Sequence, residues 1–313
     1  MRSIRGIIPP LITPLRSFEE LDARGLEQLV AHLLGGGVNG VFVLGTTGEA
    51  SSLSMRRKQE LIERVERLLS GSVPLLVGVL DNALETALEL AWWAADHGAE
   101  AVIVAPPCYL SIGQEEVVSW YEEFAARAPL PLLLYNMPEC TRIWMEPETI
   151  RRLTQHENII GIKDSSGDLV YFRRVLGMVR RERPEWAVLM GPEELLAEAL
   201  VAGADGGTPG GANLAPALFR QLYDAHAQQR ADELAVLRSL VAVLAELYAL
   251  GGPNTGYLRV LKAALEDCGL CSGVLAPPLV PLEQNERAEI RRRLEPLQAL
   301  GYVPLTVTTR VPS

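Results

Sequence analysis

The hydrophobic positions of the chain fall into two alternating patterns. Short, nearly continuous apolar runs begin at Gly6 ("GIIPPLITPL"), Gly40 ("GVFVLGTTGE"), Val73 ("VPLLVGVLD") and Ala99 ("AEAVIVAPP"). Four more begin at Leu130 ("LPLLLYNMP"), Asn158 ("NIIGIKDSS"), Trp186 ("WAVLMGP") and Gly203 ("GADGGTPGGAN"). Runs apolar on successive residues predict parallel strands covered on both faces. Between them, apolar residues recur at helical spacing. Leu26, Leu29, Val30, Leu33 and Leu34 form one stripe; Leu61, Ile62, Val65, Leu68 and Leu69 form a second, led in by Ser54; Val117, Val118, Tyr121 and Phe124 form a third. Eight such βα units over roughly 225 residues predict an α/β fold, a (β/α)8 TIM barrel. A doubly wound open sheet is the alternative, but no G-x-G-x-x-G follows the first run. From about Arg230 the pattern is helical alone, in "ADELAVLRSLVAVLAELYAL", "TGYLRVLKAALEDCG" and "ERAEIRRRLEPLQAL". This predicts a barrel over residues 1–228 and a C-terminal helical extension over 229–313.

Bulk properties narrow the function. The net charge of −10, with no Lys/Arg run, argues against nucleic acid, whose phosphates need basic patches. The apolar stretch over 237–250 is interrupted by Arg238 and Glu246 and reads as too short and too charged to span a bilayer. The opening "MRSIRGIIPPLITPL" is broken by prolines before any signal-like run forms. Four cysteines in 313 residues make no disulfide framework. Cys268 and Cys271 form a C-x-x-C with no second pair or His cluster, which reads as two small residues near a helix end. A reducing cytoplasm is expected.

Candidate chemistry is sought where barrel strands end. The chain has only three lysines, Lys58, Lys163 and Lys262, among 29 Lys and Arg. A Lys at a strand end offers what Arg does not, an amine that loses its proton. Lys58, in "SMRRKQELIERV", reads as a solvated charge on a helix, and Lys262, in "YLRVLKAAL", as a residue of a C-terminal helix that either is structural or lines a site. Lys163 closes the sixth run. Side-chain alternation puts Ile159, Gly161 and Lys163 on one face, with Gly161 leaving space beneath the lysine stem. Desolvation in an apolar barrel favours the neutral amine needed for a Schiff base. The alternative is a structural ion pair with Asp164 or Asp168.

Tyr135 ends the fifth run, as a proton-shuttling hydroxyl or a packing aromatic. In "GTTGE", Thr46 and Thr47 stand between Gly45 and Gly48, where hydroxyls and free N–H groups suit a carboxylate, or form an ordinary turn. Tyr109 lies just past the fourth run. His32, His97, His156 and His226 are not at strand ends, which argues against a metal-dependent lyase. "GGTPGGAN" sits where many barrels bind phosphate, but has no basic residue beside it.

Together, "GTTGE" at Gly45, "YNMP" at Tyr135, "GIKDSSGD" at Gly161 and "GADGG…GGAN" at Gly203 resemble the dihydrodipicolinate synthase/N-acetylneuraminate lyase family of class I pyruvate-dependent aldolases. The resemblance covers nearly the whole chain. It implies that Lys163 forms an imine with C2 of pyruvate or another 2-oxo acid, and that Tyr135 relays protons. It also implies that Thr47 links Tyr135 to Tyr109, that Thr46, Thr47 and neighbouring N–H groups, with Gly48 and Gly207, bind the substrate, and that no metal or organic cofactor is needed. Tyr109 is expected to cross a dimer interface in a homodimer or homotetramer. The second substrate is an aldehyde, or the reverse reaction cleaves a 4-hydroxy-2-oxo acid.

Departures bear on that aldehyde. The lysine-pathway synthases carry Y-N-V-P-x-R-T-G, whose Arg binds the carboxylate of aspartate semialdehyde. Here "YNMPECTRIWM" puts Cys140 at that position, with Arg142 two residues on. Cys108 replaces the first of a common tyrosine pair, and Tyr109 keeps the second. The missing Arg points to a 2-keto-3-deoxy sugar acid aldolase, the tandem Thr to a dihydrodipicolinate synthase. A non-catalytic 2-oxo-acid-binding barrel and a sugar-phosphate barrel are the remaining readings.

Overall fold

The structure is a computed structural model, and it describes residues 2–253 and 255–305. The last residues assigned to the extension, 306–313, lie outside these. The chain begins with β1 (Gly6–Ile7), a hairpin of β2 (Leu15–Ser17) and β3 (Glu20–Leu21), and α1 (Ala23–Gly35). It continues through β4 (Val41–Val43), α2 (Met55–Leu69), β5 (Leu75–Val79), α3 (Leu84–Asp96), β6 (Ala101–Val104) and α4 (Gln114–Arg127). Next come β7 (Leu132–Asn136), the short α5 (Pro138–Thr141) and α6 (Pro147–Leu153), β8 (Ile159–Asp164) and α7 (Leu169–Glu182). The barrel ends with β9 (Ala187–Met190), α8 (Leu196–Ala202), β10 (Gly206–Gly207) and α9 (Pro216–Ala227). The helices α10 (Ala231–Leu247), α11 (Gly256–Asp267) and α12 (Gln284–Ala299) follow.

The sheet runs β1-β10-β9-β8-β7-β6-β5-β4, and all seven pairings are parallel. Its two ends meet just past β1. Phe42 N–H donates to the Pro9 carbonyl at 3.0 Å and Leu11 N–H to the Phe42 carbonyl at 2.8 Å. A proline on β1's continuation has no N–H to give, so Leu11 supplies the donor. The eight predicted strands are therefore a closed (β/α)8 barrel.

The predicted helix stripes face the barrel. Leu26, Leu29, Val30 and Leu33 of α1, Leu61, Ile62, Val65 and Leu69 of α2, and Val117, Val118, Tyr121 and Phe124 of α4 are buried. The Ser54 hydroxyl accepts from Arg57 N–H to start α2. Inside the barrel a separate cluster, including Phe42, Leu76, Ile103, Leu133, Tyr135 and Leu189, fills the lumen.

Two expectations need correction. Ile159 does not share the lumen face with Gly161 and Lys163. The register between β7 and β8 skips a residue, pairing Leu132 with Ile159 but Leu133 with Gly161, and Ile159 joins the outer core. Lys58 is not solvated: it is buried at the end of β5, with Nζ 4.0 Å from Asp81 Oδ2. The apolar stretch of the extension is also longer than the 237–250 run. Residues Ala231–Gly251 are long and apolar enough to cross a membrane by length and composition, because a 3-10 turn, Tyr248–Gly251, prolongs α10. Here α10 packs against α9 and α12.

Candidate active site

Lys163 lies near the carboxyl end of β8, directly across from Tyr135 on β7. It is 4 % exposed. Its Nζ is 4.1 Å from the centroid of the Tyr135 ring and 4.7 Å from that of Phe42. The two rings meet edge to face, with centroids 6.5 Å apart. The amine therefore stands on an aromatic floor made by the top of the lumen cluster.

The ion-pair alternative is not built. Asp164 points to the other face of β8. It accepts from Asn136 Nδ2 at 2.7 Å and from the Ser166 hydroxyl at 3.0 Å. Burial pushes its carboxyl up to about 6 against these hydrogen bonds. Asp168 caps α7, accepting from the N–H groups of Val170 and Tyr171.

Above Lys163 opens a cavity of about 350 Å³. Strand ends supply Thr47, Tyr135, Ser165 and Thr208 to its walls. The loop after β7 adds Met137 and Glu139, and the loop after β9 adds Glu193 and Glu194. The C-terminal helices add Tyr248 and Tyr257. A second cavity, of about 180 Å³, lies on the other side of Tyr135, with Thr46, Asn82, Cys108 and Cys140 in its walls.

The predicted residues are distributed unevenly around this centre. Thr46, not Thr47, shares a hydrogen bond of 3.2 Å with the Tyr135 hydroxyl. Thr47 instead faces the Tyr257 hydroxyl. Tyr109 is 88 % exposed, on a loop whose N–H groups at Cys108 and Tyr109 donate to Asn82 Oδ1. The expected Tyr135–Thr47–Tyr109 hydroxyl chain is thus absent within one chain. Gly48 and Gly207 are buried behind the walls and do not line either cavity. A Cβ on Gly207 would lie 2.5 Å from Leu196 Cδ1, so its service is to close packing beneath Thr208. Arg142 is exposed, in a left-handed turn (φ 59°) that ends α5. Burial pushes the Cys140 thiol up from its ordinary value, and the neighbouring Glu139 adds to this.

Glu193 was not foreseen, although it follows a strand end. It is buried, with Oε2 accepting from Gly211 N–H at 2.6 Å and Oε1 from the Tyr248 hydroxyl at 2.7 Å. Burial pushes it up to about 7, against both hydrogen bonds. The same contact answers the phosphate reading of "GGTPGGAN", since the Gly211 N–H is occupied by a carboxylate. The Asn213 side chain is engaged too, donating to the carbonyls of Pro10 and Gly210.

The whole chain is similar to known proteins. The sequence profile of the Dihydrodipicolinate synthetase family matches residues 3–297. A 4-hydroxy-tetrahydrodipicolinate synthase from Methanopyrus kandleri is 34% identical, over 96% of this chain and 98% of its own. A probable 2-dehydro-3-deoxy-D-pentonate aldolase from Escherichia coli is 31% identical, over 97% of this chain and all of its own. Among solved structures, the dihydrodipicolinate synthase of Bacteroides thetaiotaomicron superposes with a TM-score of 0.90 at 42% identity, covering 95% of this chain and 100% of that one. An E. coli prophage protein of the same family, solved in complex with pyruvate, gives 0.90 at 28% identity over 95% and 99% of the two chains. The chain belongs to the dihydrodipicolinate synthetase family and is one of its pyruvate-dependent carbon–carbon lyases.

Proposed function

We propose that this enzyme cleaves or forms a 2-keto-3-deoxy sugar acid, joining pyruvate to an uncharged, hydroxylated aldehyde through an imine on Lys163. In the addition direction, Lys163 Nζ attacks C2 of pyruvate and water leaves. The protonated imine acidifies the pyruvate methyl group, and loss of one proton gives an enamine. The enamine carbon attacks the aldehyde carbon, the new alkoxide takes a proton, and water releases the product from Lys163. Tyr135, stacked on the Lys163 amine and hydrogen-bonded to Thr46, carries protons between these atoms. Thr46, Thr47 and the N–H groups of their turn hold the pyruvate carboxylate. The exposed Tyr109 suits contact with a second subunit, in a homodimer or homotetramer in the cytoplasm.

The observation that carries the acceptor is the charge of the cavity wall. Glu139, Glu193 and Glu194 line it, and Lys163 is the only Lys, Arg or His there among the described residues. Lys163 is consumed by the imine. A second substrate carboxylate, such as that of aspartate semialdehyde, would face the like charges of the exposed Glu139 and Glu194, about 1 kcal/mol for a water-screened pair about 4 Å apart, with no cation on the wall to offset its desolvation. Hydroxyl groups meet carboxylates, tyrosines and Ser165 as hydrogen-bond partners instead. The likeness to the E. coli pentonate aldolase supports this reading.

The test pairs two measurements. Borohydride in the presence of pyruvate is expected to leave a reduced pyruvate adduct on the Lys163 peptide, and an unmodified peptide sinks the imine. A substrate panel is then expected to show retro-aldol turnover of 2-keto-3-deoxy sugar acids. Turnover confined to pyruvate plus aspartate semialdehyde refutes the acceptor.

A further inference from the structure

Among the described ion pairs, the most deeply buried lies outside the reacting groups. Lys262 of α11 holds Glu49, the last residue of "GTTGE", with Nζ 2.6 Å from Oε1 and both side chains at most 1% exposed. The second carboxylate oxygen accepts from Ala276 N–H at 2.7 Å, and Lys262 also donates to the Val274 carbonyl. Three separated pieces of chain are tied at one point: the turn after β4, helix α11 and the segment leading to α12.

The turn so tied is conformationally unusual. Leu44 and Glu49, which bracket it, are both non-glycine residues in the left-handed region, at φ 59° and 55°. Such residues persist where the surroundings hold them. Between them lie Thr46, bonded to the Tyr135 hydroxyl, and Thr47, on the cavity wall. Helix α11 reaches this turn a second time, because the Tyr257 hydroxyl meets Thr47 at the cavity wall. A buried ion pair contributes little net stability against apolar residues of the same volume. Its consequence here is placement.

We propose that Glu49 and Lys262 are positioning residues: their ion pair clamps the 45–49 turn to helix α11 and so fixes Thr46 and Thr47 for the pyruvate carboxylate and the Tyr135 hydroxyl. This rests on the reading that those threonines bind pyruvate. The C-terminal helices then belong to the catalytic apparatus, although, among the described residues, none of their charged groups lines the cavity.

The test uses the full chain and needs no aldehyde. Enamine formation exchanges the methyl protons of pyruvate with solvent, so deuterium uptake from heavy water, followed by proton NMR, reports turnover with pyruvate alone. The double variant Glu49→Gln/Lys262→Met removes both charges together. The single variant Glu49→Gln keeps an oxygen for Ala276 N–H. The double variant is expected to melt near the parent temperature, and Glu49→Gln, which leaves the Lys262 ammonium buried without its carboxylate, below it. In both, kcat/KM for exchange is expected to fall, on the order of 10²-fold in the double variant. Part of the loss is expected in KM for pyruvate. Borohydride should still label Lys163 at saturating pyruvate. Folded variants with the parent KM and kcat overturn the proposal, as does a lowered melting temperature with unchanged kinetic constants. Failure to label Lys163 in the parent is a separate result, which removes the imine rather than the clamp.

Discussion

Glu193 makes a stability prediction whose sign is fixed by its surroundings. Burial raises its carboxyl from the ordinary 4.5 to about 7. The folded protein therefore holds a proton over a range in which the unfolded chain has released it. Stability contributed by this group is full below about pH 4.5 and is lost as pH rises through about 7. At about 1.4 kcal/mol per pH unit, the difference between the two values makes about 3 kcal/mol lost by pH 8. Glu193→Gln removes that loss with little change of shape. Its amide oxygen accepts from Gly211 N–H, and its NH2 donates to the Tyr248 oxygen. The variant is expected to match the parent near about pH 4.5 and to exceed it by up to about 3 kcal/mol near about pH 8. Urea unfolding of parent and variant across this range reads the difference directly. Asp164, also raised, to about 6, titrates in both proteins and cancels. A gap that stays constant with pH, or widens toward acid, refutes the reasoning.

Three further outcomes follow from the same geometry. Tyr135→Phe keeps the ring under the Lys163 amine and loses only the hydroxyl shared with Thr46, so kcat should fall about 10²- to 10⁴-fold while circular dichroism and melting stay as in the parent. Gly161→Ala places a Cβ 2.3 Å from the Ala187 carbonyl oxygen on the next strand, which neither backbone can relieve cheaply; a loss of about 1–3 kcal/mol in denaturant unfolding is expected. Arg142→Ala should leave kcat/KM within about twofold of the parent in the retro-aldol assay, because the side chain is exposed and outside the cavity wall.

What the sequence shows of this site depends on what each residue's signal is. Parallel strands covered on both faces are apolar on successive residues, so all eight could be found, and even the two-residue β1 and β10 left their mark in the glycine and proline turns around them. Lys163 was legible because a rare residue type stood at a strand end. The choice between Thr46 and Thr47 was not. They are neighbours in one turn, and which one meets Tyr135 depends on the left-handed conformations of Leu44 and Glu49, which no hydrophobic period encodes. The burial of Lys58 and Lys262 is hidden from the sequence for a related reason. A helical stripe tells which face is apolar, not what later chain covers the other face. Glu193 and Glu194 could have been found by extending the strand-end search to "GPEELL" after β9. Tyr248 and Tyr257 carry no local signal, since helical tyrosines reach the barrel mouth only through the path of the tail.

That path changes what counts as the functional unit. The predicted division at residue 228 follows the change in pattern, but chemistry crosses it. Tyr248, Ala249, Gly252 and Tyr257 wall the cavity over Lys163 from the far side of that division. Tyr248 donates to one oxygen of Glu193, and Lys262 pairs with one oxygen of Glu49 while Ala276 N–H donates to the other. A barrel without its tail would expose a left-handed turn and strip two buried carboxylates of partners. Breaking one side of a buried pair costs about 3–5 kcal/mol, a large share of a domain's stability. The barrel strands place the amine and the tyrosine hydroxyl, whereas the tail holds the threonine turn through Glu49. The proposed pyruvate site is thus assembled between two stretches that the sequence pattern separates.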